Sequence, residues 1–124
     1  MKRDLNLATR ILTGLEAKPL NAQLRGLNGY SDDEFYYHAR LLAGAGLIQI
    51  IDLNTYREPY ACVATQLTWA GHDFLERARS PEWIDKAKQA GFDVGKDAAA
   101  AAVRFALTKL WEKLAPHIAN LFVN

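Results

Sequence analysis

The stretch GYSDDEFYYHARLLAGAGLI, Gly29 to Ile48, decides how the rest of the chain is read. It predicts one helix that stops at a glycine and runs on into a strand. Ser31 followed by Glu34 is a capping box, in which each side chain satisfies the other residue's free backbone N–H. Tyr30 before the cap and Phe35 beyond it are placed to close as a hydrophobic staple. Asp32 and Asp33 fall in the first turn, where the helix dipole favours negative charge by roughly 0.3–1 kcal/mol each. The acids therefore have a sufficient structural reason to be there. Stepping about 100° per residue puts Phe35, His38, Leu42 and Ala45 on one face, with Ala39 and Leu41 at its margins. Asp33, Tyr36, Tyr37, Arg40 and Gly44 fall on the other. Gly46 enters the left-handed conformation without a Cβ penalty and ends the helix.

Upstream, Leu5, Ala8, Ile11, Leu12 and Leu15 recur at helical spacing and predict a helix over 4–17, ended by Lys18-Pro19. Residues 20–28 alternate weakly and read as a short strand or a loop. Downstream, 47–53 and 60–67 read as strands of a hairpin joined by NTYREP, Asn54 to Pro59. Thr68 can cap a helix over 69–79, with Ala70, Gly71, Phe74, Leu75 and Ala78 inward and His72 outward. Ser80-Pro81 restarts a helix as cap and first helical residue, and Gly91 stops it. A last helix is expected from about Val94 to Ala115, where Pro116 kinks or ends it. The order is helix, short strand, helix, hairpin, helix, then a helical tail. That is an α+β, winged-helix-like order over 1–79, with a helical extension over 80–124.

The chain has 124 residues, 50% of them hydrophobic, which suits a soluble domain with a single core. Its 15 basic residues nearly cancel 14 acidic ones, for a net charge of +1. No overall field draws it to nucleic acid or to an anionic membrane. Cys62 is alone, so no internal disulfide forms and a cytoplasmic setting is expected. Polar residues interrupt any signal-peptide core near Met1, and the apolar run over 98–107 contains Arg104 and is too short to span a bilayer. No membrane partner is expected.

Three segments carry a family resemblance: MKRDLNLATRIL at the start, the Gly29–Ile48 stretch, and LTWAGHDFLERAR from Leu67 to Arg79. In this order they resemble a family of bacterial, phage and prophage proteins known only as a domain of unknown function, family 2513. The likeness covers about the first two-thirds of the chain. It implies a winged-helix fold and a mobile-element origin, and it carries over no catalytic residue. The segment HARLLAGAGLI also looks like the end of the reading helix in winged-helix repressors. Such domains usually insert a separate helix before the reading helix, and Leu20 to Tyr30 leaves little room for one.

No catalytic or metal-binding constellation is legible. His38, His72 and His117 lack metal-ligand spacing, and Cys62 has no CxxC partner. His38 reads as a packed, hydrogen-bonded core histidine. The glycines of Gly44–Gly46 end a helix, so they cannot offer the amide donors of a phosphate loop. The expectation is a non-catalytic protein without cofactor or metal.

Between Tyr30 and Tyr60, Arg40 and Arg57 face five acids, for a net charge of −3. Strong salt-dependent DNA binders commonly make roughly 6–10 phosphate contacts, which this segment alone cannot supply. Its outward residues, Tyr36, Tyr37 and Arg40 on the helix and Tyr56 and Arg57 on the hairpin, suit DNA or a protein partner. The primary expectation is a DNA-linked transcriptional regulator acting as a homodimer on double-stranded DNA. The alternative is the same fold used as a protein-interaction module. For the homodimer, Val103, Leu107, Leu110 and Leu114 form a coiled-coil-like seam bordered by Trp111. Folding of that seam back onto the same chain is the competing arrangement.

Overall fold

The computed structural model describes residues 2–93, 95 and 97–119, with side chains as far as Lys113. It is a mixed α+β structure with five helices and a two-stranded antiparallel sheet among the described residues. The chain divides into two compact units, Met1–His72 and Asp73–Asn124. The division falls inside the third helix, whereas the sequence places a boundary after Arg79.

In the first unit, α1 (Leu5–Ala17) starts at Asp4, whose carboxylate accepts the N–H groups of Asn6 and Leu7 at 2.9 and 3.1 Å. Its buried row is Leu7, Ala8, Ile11, Leu12 and Leu15, with Thr9 beside it. The sequence expected Leu5 in that row. Leu5 is half-buried and Leu7 takes the core position, because Leu7, Ile11 and Leu15 stack at successive turns. Thr9 is buried without loss, since its hydroxyl donates to the Leu5 carbonyl at 2.8 Å.

The next helix, α2 (Asp32–Gly44), carries both halves of the predicted capping box. The Glu34 N–H donates to Ser31 Oγ at 3.2 Å, and the Ser31 N–H donates to Glu34 Oε1 at 2.9 Å. Tyr30 faces the Arg10 guanidinium, 5.5 Å from its ring centre. At the far end Gly46 has φ +82°. The Leu47 N–H reaches back to the Leu42 carbonyl and the Gly46 N–H to that of Ala43, both at 3.0 Å, closing a Schellman motif. Phe35, His38, Ala39, Leu41 and Leu42 form the buried face, while Ala45 is only half-buried.

His38 joins the two helices. Its Nε2 accepts the Asp4 N–H at 2.6 Å, and its Nδ1 lies 2.8 Å from the Glu34 carbonyl. A proton on Nδ1 satisfies both contacts. The histidine is thus a packing residue that also ties the start of α1 to the first turn of α2.

Strand β1 (Ile48–Asp52) pairs antiparallel with β2 (Cys62–Leu67). A register shift between Gln49 and Ile50 leaves Thr65 as the extra residue of a bulge. Residues 20–28 contribute a single rung, in which Leu24 and Ala64 exchange both N–H···O bonds at 2.9 Å. Helix α1 packs on α2 and β2, and α2 packs on β1.

Helix α3 (Trp69–Ala78) begins with Thr68, whose Oγ accepts the Gly71 N–H at 3.0 Å and donates to the Gly46 carbonyl at 2.5 Å. Gly71 lies directly on the Leu47 main chain. Ala70, expected inward, is exposed. Gly71 itself occupies the point of closest approach, and its neighbour turns outward.

In the second unit, α4 (Pro81–Gln89) starts at Ser80 with proline in its first turn, and Gly91 follows it with φ +88°. Helix α5 (Ala98–Ala119) starts later than the sequence suggests, because Asp97 supplies the cap. Its carboxylate accepts the Ala100 N–H at 3.0 Å. Val94 lies outside the described residues. The helix continues past Pro116, which removes one backbone donor without ending it. Helices α4 and α5 pack around Ala87, Ala102 and Phe105, with Trp83, Ile84 and Phe92 against them.

Two substitutions measure the first unit. Ser31→Ala removes one half of the capping box and is expected to cost about 0.5–2 kcal/mol. Gly71→Ala drives a Cβ into the Leu47 carbonyl, with backbone on both sides of the collision, and is expected to cost more than the cap. Urea denaturation of both variants checks the order. A Gly71→Ala protein as stable as wild type would contradict the close approach.

Candidate interaction surface

The exposed side of α2 and the hairpin are bound into one surface. The Tyr36 hydroxyl accepts from Arg40 Nη1 at 3.2 Å and from Asn54 Nδ2 at 2.8 Å. Asn54 Oδ1 in turn accepts the Ala61 N–H at 3.1 Å. The Arg40 guanidinium sits 5.7 Å from the Tyr36 ring centre and 3.5 Å from Asp52 Oδ2. Tyr60 leans on Tyr36 with ring centres 5.8 Å apart. Each contact is weak alone, since exposed ion pairs contribute about 0–1 kcal/mol. Together they fix the hairpin against α2 and use Arg40 to do so.

The outward residues predicted from the sequence therefore divide. Tyr36 and Arg40 are half-buried and joined in this network. Tyr37 is half-buried and meets His38 edge-on at 5.2 Å. Tyr56 and Arg57 stand exposed at the hairpin tip. That tip is held by Thr55, whose N–H donates to the Glu58 carbonyl and whose Oγ1 accepts the Glu58 N–H, both at 2.9 Å. Sequence spacing puts Tyr36 and Arg40 on the face of α2 away from its buried row, and both are half-buried there. It could not show that the hairpin folds against them.

Beside this network lies an open cleft of about 400 Å³ between the start of α2 and the hairpin. Asp32, Asp33 and Glu58 line it, with Arg25 as the one cation among the lining residues. Leu53 and Tyr60, both exposed apolar residues, form part of its wall. The sequence reading named neither Leu53 nor Tyr60 as a site residue. The available signal is weak: Ile51 near the end of β1 and Leu53 just beyond it are apolar residues flanking Asp52, and both are exposed.

Cys62 also lines the cleft but is buried. Burial pushes its thiol up from 9.0 to about 11; Asp52 adds to the shift and Arg40 opposes it. The thiol stays protonated near neutral pH, and the thiolate is the nucleophilic form. No group of three or more His, Cys, Asp or Glu among the described residues is arranged to hold a metal ion. No described helix is long and apolar enough to cross a membrane.

The seam expected on α5 is covered over its first two positions. Val103 and Leu107 are 1% and 6% exposed in the single chain. Leu110 and Trp111 are half-buried. Leu114 and His117 lie outside the residues whose side chains are described. The first half of the seam is thus covered without a second copy.

Cys62 gives a prediction in pH. Its proton is held more tightly in the folded chain than in the unfolded one, so stability is lost as pH rises from 9.0 towards about 11. The loss is on the order of 2 kcal/mol. Cys62→Ala should flatten that part of the profile, read as the difference between wild-type and variant denaturation midpoints. Parallel profiles would contradict the buried thiol.

Comparison with known proteins supplies the family. A family model described as "Hypothetical protein (DUF2513)" matches residues 2–95. An uncharacterized protein of Haemophilus influenzae is 35% identical over 86 residues, covering 64% of this chain and 70% of that protein. No solved structure matches the chain. The model match takes in every element from α1 to α4, and the chain is a member of the DUF2513 family.

Proposed function

We propose that this chain is a non-catalytic winged-helix module that works by binding another protein through the cleft between α2 and the hairpin. The element order α1, Leu24 rung, α2, β1, β2, α3 supports this reading: it follows a winged helix that lacks the separate helix before α2, with α2 then in the reading-helix position and the hairpin as the wing. The observation that carries the reading is the charge of the cleft. Three carboxylates and one guanidinium line the space where a duplex would meet α2 and the wing together. Phosphates are repelled there, and Arg40 is engaged with Asp52 and Tyr36. A concave space walled by Leu53 and Tyr60 and rimmed by charge has the make-up of a protein-binding surface.

A second reading, DNA-linked regulation, draws on Tyr56 and Arg57 at the exposed wing tip, where an arginine can enter a minor groove. Pairing of two copies along α5 would have to run through Leu110, Trp111 and the residues beyond them, because Val103 and Leu107 are covered in the single chain.

A photoreactive residue at Tyr60 is expected to crosslink a polypeptide in cells, while one at Glu16 on α1 is not. Asp33→Lys should abolish the Tyr60 adduct without unfolding the chain. In parallel, labelled duplex DNA is titrated at low salt with wild type and with an Arg40→Ala/Arg57→Ala pair. Wild-type binding that disappears in the pair, with no Tyr60 adduct, would replace the protein reading with the DNA reading.

A further inference from the structure

The second unit has a groove of opposite character. The end of α3, the start of α4 and the middle of α5 enclose an open space of about 150 Å³. Phe74, Trp83 and Leu110, all half-buried, form its apolar floor. Arg77, Lys109 and Lys113, all exposed, stand around it, and no carboxylate is among its lining residues. Lys109 also lies 3.7 Å from Glu112, but both side chains are more than half exposed. Such a pair is weak enough for Lys109 to exchange partners.

We propose that this groove docks an acidic polypeptide segment that inserts one bulky apolar side chain between the three cations. The size and the charge lead to this occupant together. At about 150 Å³ the open groove has room for one phenylalanine or leucine side chain against its apolar lining. Aspartate or glutamate on either side of that anchor meets Arg77, Lys109 and Lys113. A second copy seated through the same groove is disfavoured, because a twofold contact would set these cations against themselves. A single nucleic-acid strand would supply negative charge and would need an aromatic face on which to stack its bases. Trp83 does not present one: Lys86 Nζ lies 4.8 Å from its ring centre, and Phe105 packs 5.7 Å away. The groove is independent of the cleft in the first unit, and so is its test.

The probe is a labelled peptide with one phenylalanine between two runs of glutamate, titrated against the full chain by fluorescence anisotropy. Binding is expected. It should weaken by roughly tenfold or more when the peptide's phenylalanine becomes serine, since the buried anchor is lost. A similar loss is expected for the protein variant Arg77→Glu/Lys113→Glu, whose changes lie on exposed side chains and whose circular dichroism should match wild type. Leu110→Ser provides a second variant that removes part of the floor without touching charge. Arg57→Ala, at the hairpin tip, should leave binding unchanged. Equal binding of the serine peptide would reduce the groove to simple charge attraction and overturn the proposal. Tighter binding of an oligothymidine strand would overturn it in favour of nucleic acid. No peptide binding at millimolar concentration would overturn it outright.

Discussion

Helix α3 can begin where it does only because residue 71 has no side chain. Gly71 rests on the Leu47 main chain, at the point where α2 ends and β1 is about to begin. The same few residues carry the Schellman closure of α2, the Thr68 N–H bond to the Leu47 carbonyl and the Thr68 hydroxyl bond to Gly46. The first helical turn after the hairpin is therefore bonded to the turn before it. Closing the hairpin at its base fixes where β2 lies against α1 and where β1 lies against α2. A Cβ at position 71 would open that base, and every surface built on the hairpin would move with it.

The hairpin's outer end is held by different means. Its base is joined by backbone groups, whereas its flank is joined to α2 by the Tyr36, Arg40, Asp52 and Asn54 side chains. These groups remain partly in water, so their pairings are individually weak. The result is a hairpin that is rigid at its root and more easily parted from α2 towards its tip. The acidic cleft lies along this graded edge. An arriving partner could compete for Tyr36 or Arg40 without disturbing the core around Leu7, Leu12 and Phe35.

Local signals were legible in the sequence and non-local ones were not. The Ser31–Glu34 box, the Gly46 stop and the Ser80-Pro81 start depend on residues within a few positions of one another, and each has its counterpart in the structure. The hairpin strands were legible because their apolar content is bounded by a polar loop. Leu7 in place of Leu5, exposed Ala70 and the covered Val103 all turn on what packs opposite, which periodicity does not specify. The Asp97 cap stands beside an alanine run whose uniform composition marks no start. Of the surface, the α2 face could be read from helical spacing. The Asn54 link across 18 residues of chain, and the convergence of Arg25 with Asp32 and Glu58, could not.

The lone rung between Leu24 and Ala64 has an evolutionary consequence. It anchors the connection between α1 and α2 through two backbone N–H···O bonds, and a backbone bond is indifferent to the side chain that accompanies it. The rung itself places no demand on the side chains that flank Leu24, and the two arcs they form can lengthen by insertion at small entropic cost. Insertions here would leave α1, α2 and the hairpin in place. The segment that looks least like structure is the one best suited to take up change.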